Sequence, residues 1–230
     1  MFNAKMRFLS TVCFANACLS VSLALPAEPT DRDSPRTKQR LQIRVFNLAH
    51  VREHDLVRTE AEIGRIFDMA DIDARWAEGS PDDRSALVTD FSANHSSHGR
   101  CKDAVNASEL RVQLLTRAPP GVAGGTLAYS LPCARFGIHS TIFIEQCEAV
   151  THYTIIAFSK VLAYVIAHEL GHVLLRSSEH SGSGLMRAYW DRNAWISAAA
   201  GGIRIDLEQA RRMRIELFRM ESLAPTEPSR

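Results

Sequence analysis

Residues 151–176 place the tightest constraint on what this chain can fold into. Ile155, Phe158, Leu162, Val165, Ile166, Val173 and Leu174 recur there near helical spacing and leave little polar circumference, so the pattern predicts one long helix buried in a core. Into that apolar surface the chain inserts His168, Glu169 and His172. Imidazoles and carboxylates taken out of water are costly unless they are paired, hydrogen-bonded or bound to a metal. A pair of core histidines satisfied without metal is the plain alternative.

Residues four apart on a helix lie one above the other, so His168 and His172 point to one side and can take two corners of a tetrahedral zinc site. Glu169 is set about a hundred degrees round the helix, where it can reach a water at the metal as a general base without being a ligand. A catalytic zinc takes a third protein ligand and keeps one position open.

The run from 168 to 186, HELGHVLLRSSEHSGSGLM, resembles the zinc-binding signature of metzincin peptidases, in which the helical motif is followed by a further His and then a methionine turn. The resemblance implies a zinc-dependent endopeptidase with one catalytic zinc, His180 as third ligand and Met186 as the turn methionine; a metzincin-like domain that binds zinc without hydrolysing is the alternative. It departs from the family pattern at Leu175 and Ser178, where a glycine and the third ligand are usual. His180 comes two residues later, so the helix must end differently and its loop must be longer. Glu179 is the local rival for the third ligand, and a carboxylate from a later helix, Asp191 or Glu208, is the further alternative.

Residues 125–132, GTLAYSLP, resemble the matrixin segment that runs beside the active-site cleft as an edge strand, where a bound peptide pairs by strand addition. Leu127, Ala128, Tyr129 and Ser130 would then align a substrate. Read without the resemblance, the same residues are an alternating strand with a glycine start. Tyr129 stands where matrixins carry a His for a structural zinc, so no second zinc is expected, and no acidic cluster suggests their calcium. Tyr189 follows Met186 by three residues rather than the two seen in some metzincins, an offset that favours packing over catalysis.

The rest of the chain suits one ordinary domain. Its 230 residues are 46% apolar and 23% charged with a formal net charge of +1, which favours a folded protein acting through a site and gives no reason to expect nucleic acid. Lys5 and Arg7 precede an uncharged stretch at 8–25 and then small residues and prolines. That is the layout of a signal peptide at 1–27, cleaved after Ala24 or Ala27, with an uncleaved membrane anchor as the alternative. Residues 28–39 read as a linker, 40–222 as the catalytic domain and 223–230 as a disordered tail. Secretion or periplasmic export follows, and the resemblance implies a peptide or protein as substrate; nothing in the sequence specifies an oligomeric state.

Within the domain, Leu41, Ile43 and Val45 alternate as a strand, 56–70 as a helix, and 74–77, 110–115, 126–131 and 138–144 as further strands. The stretch around His95, His98 and Cys101 reads as a solvated loop rather than a metal site. Residues 177–202 read as irregular, and 207–221 as a helix with Asp206 as N-cap and Gln209 completing a capping box. Cleavage would leave Cys101, Cys133 and Cys147, enough for one disulfide and one odd thiol. Cys133 with Cys147 is the favoured pair because the two bracket a strand region; three buried thiols are the alternative, as is Cys101 closing a structural zinc site. The expected fold is α+β and metzincin-like: a twisted, mainly parallel mixed sheet with an edge strand, a backing helix, a buried active-site helix and a small C-terminal helical part.

Overall fold

The computed structural model describes residues 38–80, 101, 109–134 and 137–223. The expected signal peptide, nearly all of the linker, His95, His98 and the tail beyond Leu223 lie outside those residues. β1 (Gln39–Asn47) turns Leu41, Ile43 and Val45 into the main core and Phe46 the other way, into a small cluster with Ile138. It pairs in parallel with β2 (Ile72–Glu78) and β3 (Leu110–Leu115); β3 pairs in parallel with β5 (Ser140–Phe143). β4 (Ala128–Ser130) runs antiparallel along β5 and ends the sheet, whose order is β2-β1-β3-β5-β4. The result is a mixed α+β fold with a mostly parallel, five-stranded sheet.

α1 (Glu53–Asp68) sends Leu56, Ile63, Ile66 and Phe67 into the same core. The expected single helix at 151–176 is instead two. α2 (Ile144–Thr154) starts directly from β5, and α3 (Phe158–Leu175) follows a break at Ile155, which sits in the left-handed region at φ 61°. That conformation costs a branched residue about 1–2 kcal/mol. It turns Ile155 outward, 87% exposed, and Ile156 inward, 8% exposed; burying an isoleucine side chain returns about 1.5–3 kcal/mol. The span read as irregular contains α4 (Arg192–Ala199), capped by Asp191, whose Oδ1 accepts the Ala194 N–H at 2.7 Å. α5 (Leu207–Leu223) starts where expected, with Asp206 Oδ1 accepting the Glu208 N–H at 2.9 Å. Gln209 Oε1 has no hydrogen-bond partner among the described residues, so only the Asp206 half of the expected capping box is seen.

α3 is apolar and long enough to cross a membrane, yet the surrounding elements bury it as the central core helix. The disulfide joins Cys101 to Cys133, not Cys133 to Cys147. Cys147 lies fully buried on α2 as a free thiol, its pKa pushed up to about 12 by burial. Proximity in sequence misleads here, because the helix carries Cys147 into the core while Cys133 stays in the loop after β4. With Cys101 in a disulfide, it does not serve as a zinc ligand.

Candidate metal centre

His168 and His172 lie on α3, and His180 lies in the loop after it; the three offer ligand nitrogens all within 4.8 Å of one another. His168 Nδ1–H donates to the Leu185 carbonyl and His172 Nδ1–H to the Ser177 carbonyl, each at 2.8 Å. A carbonyl can only accept, so both Nδ1 atoms carry the proton and both Nε2 atoms present lone pairs. Those Nε2 atoms face each other at 3.1 Å, and His172 Nε2 is 3.2 Å from His180 Nε2. Two lone pairs cannot hydrogen-bond each other; a shared cation resolves the contact. Nitrogens at about 2.0–2.1 Å from a tetrahedral zinc are about 3.3 Å apart, so the two contacts made by His172 match such an ion, and the third nitrogen lies within 4.8 Å of the others.

The electrostatics favour the ligating form. Burial, the neighbouring His168 and, more weakly, His180 hold His172 down to about 4, against a smaller upward pull from its carbonyl partner. His168 and His180 are also lowered, chiefly by burial. All three imidazoles are therefore neutral near pH 7. Glu169, 8% exposed, lies beside them but outside the ligand cluster. Burial raises its carboxyl to about 7, and a hydrogen bond with the Ser130 side chain of β4 works in the opposite direction.

The loop after His180 is built to hold the carbonyl that meets His168. Ser181 N–H donates to the Met186 carbonyl at 2.7 Å, and Leu185 N–H to the Arg204 carbonyl at 2.9 Å. Gly184 makes this turn at φ 70°, where an added Cβ would press on that same carbonyl. Met186 is fully buried, and its Sδ rests where a Cβ on Gly171 would stand. Gly171→Ala should therefore lose stability. An unobstructed helical site would gain about 0.5–1 kcal/mol from the exchange, but the fully buried Met186 side chain would have to shift, and such overpacking costs about 1–3 kcal/mol. Thermal unfolding checks this, and a variant at least as stable as the wild type would show that the contact does not constrain the core.

A cleft of about 390 Å³ opens beside His168, Glu169 and His180. Leu127 and Ala128 line one side of it, while Tyr129 packs its ring on Phe143 at 5.9 Å. Tyr189 sits at the rim, 77% exposed. Glu179 is exposed, Asp191 caps α4, and Glu208 pairs with Arg211 at 3.8 Å; none of them joins the histidine cluster. The sequence reading missed the aromatic wall of the cleft: Tyr164 and Trp195, with Trp190 between them at ring separations of 5.9 and 4.6 Å. Trp190 also sets its ring edge-on to His168 at 6.4 Å. Two of the chain's 3 tryptophans following so soon after Met186 was the available signal.

The fold and the site define a class: a mixed α+β protein whose buried helix and following loop gather three imidazoles to the geometry of a single metal ion. No protein-family model matches the chain, and no curated protein matches it in sequence. Among solved structures it is similar to metalloproteinase-II from Bacteroides fragilis, at 14% identity and a TM-score of 0.44 over 78% of this chain. It is also similar to archaemetzincin from Methanopyrus kandleri, at 9% identity and a TM-score of 0.43 over 80% of this chain. The chain spans 53% of the Bacteroides chain and 98% of the archaeal one.

Proposed function

We propose that this chain is a zinc-dependent endopeptidase of metzincin type, holding one zinc ion through His168, His172 and His180. The observation that carries the reading is the pair of Nε2 lone pairs facing each other at 3.1 Å in a three-histidine cluster, with a buried carboxyl beside it. An ion held by His168, His172 and His180 would supply the Lewis acidity that lowers the pKa of a water toward neutrality and polarises the carbonyl of a bound peptide. Glu169 takes the proton that the attacking water gives up and returns it to the leaving amine. A buried carboxyl beside the histidines is placed to accept the proton and to return it. Ser130 orients that carboxyl from the edge strand.

β4 ends the sheet, and an extended peptide adding along Leu127 to Ser130 would lie across the cleft with its carbonyl toward the histidines. In this reading Met186, fully buried after the histidine loop, would be the turn methionine, and Tyr189 a rim residue. Residues 40–222 form the catalytic domain, and the N-terminal segment directs export to the periplasm or medium. The substrate is a peptide or protein rather than a nucleic acid.

The test is metal removal. Incubated with a mixed peptide pool, the protein should cleave peptide bonds, stop after extraction with a chelator, and recover on addition of zinc. Cleavage that persists in the extracted protein, or none in zinc-loaded protein, would refute the assignment.

A further inference from the structure

The helix that carries two of the histidines ends on a residue ill suited to the conformation it adopts. Arg176 caps α3 in the left-handed region, at φ 56° and ψ 39°, where glycine is the usual occupant. The next residue contributes the carbonyl that accepts His172 Nδ1–H at 2.8 Å, and its own N–H returns to the His172 carbonyl at 3.2 Å. The backbone angles of Arg176 thus set where the partner of His172 stands.

The side chain of Arg176 turns inward rather than to water. It is 7% exposed, with Nε 3.8 Å from Oε1 of Glu216 on α5, itself 5% exposed. The same helix reaches the preceding residue, Arg212 Nη2 donating to the Leu175 carbonyl at 3.2 Å. From the opposite side, Cys101 N–H donates to the Arg176 carbonyl at 3.1 Å, and Cys101 is itself tied by the disulfide to Cys133 beyond β4. Capping a helix needs none of this, because a glycine reaches the left-handed region without strain. Burying two charges is costly, and such pairs are weak contributors to stability. What the arrangement does provide is one fixed position for the chain between His172 and His180.

We propose that Arg176, set beside Glu216 in a buried ion pair, is a positioning residue of the metal centre that holds the Ser177 carbonyl on His172, an inference that rests on the zinc reading of the site. Partners of this kind orient ligating imidazoles, and their loss weakens metal binding by about 10–100-fold. The lock therefore acts on metal affinity beyond any effect on folding.

The test measures zinc affinity by competition with a chromogenic chelator, beside the melting temperature of the zinc-free chain. Glu216→Ala should weaken zinc by about tenfold or more. Arg214→Ala serves as the control: it removes the bond from α5 to the Ala70 carbonyl, at 2.6 Å, so it unsettles the same helix away from the metal loop and should leave affinity within about twofold. Arg176→Lys, which keeps a cation beside Glu216, should hold zinc more tightly than Arg176→Gly, which relaxes the backbone and loses the lock. Should Glu216→Ala not fold, Glu216→Gln carries the same comparison with only the charge removed. A wild-type chain that binds zinc beside a Glu216 variant of equal affinity, or an Arg214 variant weakened as much as the Glu216 variant, overturns the positioning role alone. A wild-type chain that takes up no zinc overturns the metal reading itself.

Discussion

Glu169→Gln should keep the zinc content of the wild type and lower kcat on a cleavable peptide by about 10²–10⁴-fold, the usual share of a general acid or base. Glutamine keeps the volume of the side chain and an oxygen for Ser130, so the buried site is not opened. Glu169 lies outside the three-histidine ligand group, which is why metal retention and hydrolysis should separate. His168→Ala should lose both together, since it removes one of those ligands. The two variants, assayed side by side for bound zinc and turnover, distinguish the base from the ligand. A Glu169→Gln enzyme as active as the wild type would end the proposed mechanism.

The second large effect is on stability in acid and arises away from the metal. His139 is fully buried just before β5, where its Nδ1 accepts the Arg111 N–H at 3.1 Å, and its backbone N–H donates to the Arg111 carbonyl at 2.9 Å. A ring nitrogen thus stands in for a backbone acceptor beside the sheet. Its Nε2 finds no hydrogen-bond partner among the described residues. Burial, then the Arg111 charge, push its pKa from 6.5 down to about 4; Glu109 pulls the other way, and Arg176 adds a smaller downward push. The unfolded chain therefore binds a proton that the folded chain refuses between those two values.

The stability His139 contributes is complete above about pH 6.5, declines as the pH falls, and is lost once the pH has fallen through about 4. At 1.36 kcal/mol per pKa unit the full loss is about 3 kcal/mol. Urea unfolding of zinc-free protein at pH 7.5 and pH 4.5 should show it. His139→Asn keeps an acceptor for Arg111 and cannot take the proton in this range, so its loss between the two conditions should be smaller by about 2–3 kcal/mol. Equal acid losses in the two proteins would show that His139 is not the group responsible.

The parts of the fold that were legible in the sequence are those where one face of an element meets one environment. β1 alternates Leu41, Ile43 and Val45 against polar neighbours, β3 does the same at Leu110, Val112 and Leu114, and both strands stand as expected. The apolar surround of His168, Glu169 and His172 likewise indicated a buried helix, and α3 is one. The break before it left no mark, because neither glycine nor proline stands at Ile155 and the apolar period runs across it. α4 has only 8 residues, too few for a helical period to show among Trp195, Ala194 and Ala198.

The site shows a similar division. Imidazoles at a four-residue spacing can be read from a sequence, whereas the carbonyls of Leu185 and Ser177 that fix their tautomers belong to backbone whose course depends on the whole loop. The same holds for the turn at Arg176: no glycine advertises it, and the residues that hold it, Glu216 and Cys101, are remote in sequence. Disulfide partners are chosen by approach in space, so neighbouring cysteines were a poor guide to the pairing of Cys101 with Cys133.

Metal content by elemental analysis, on wild type and His180→Ala purified without added zinc, tests the central claim most directly. About one zinc per chain in the wild type, lost or much weakened in the variant, is the predicted result. Zinc retained undiminished in the variant would contradict the three-histidine site, and a wild-type chain without zinc would return His168 and His172 to the interior as core residues.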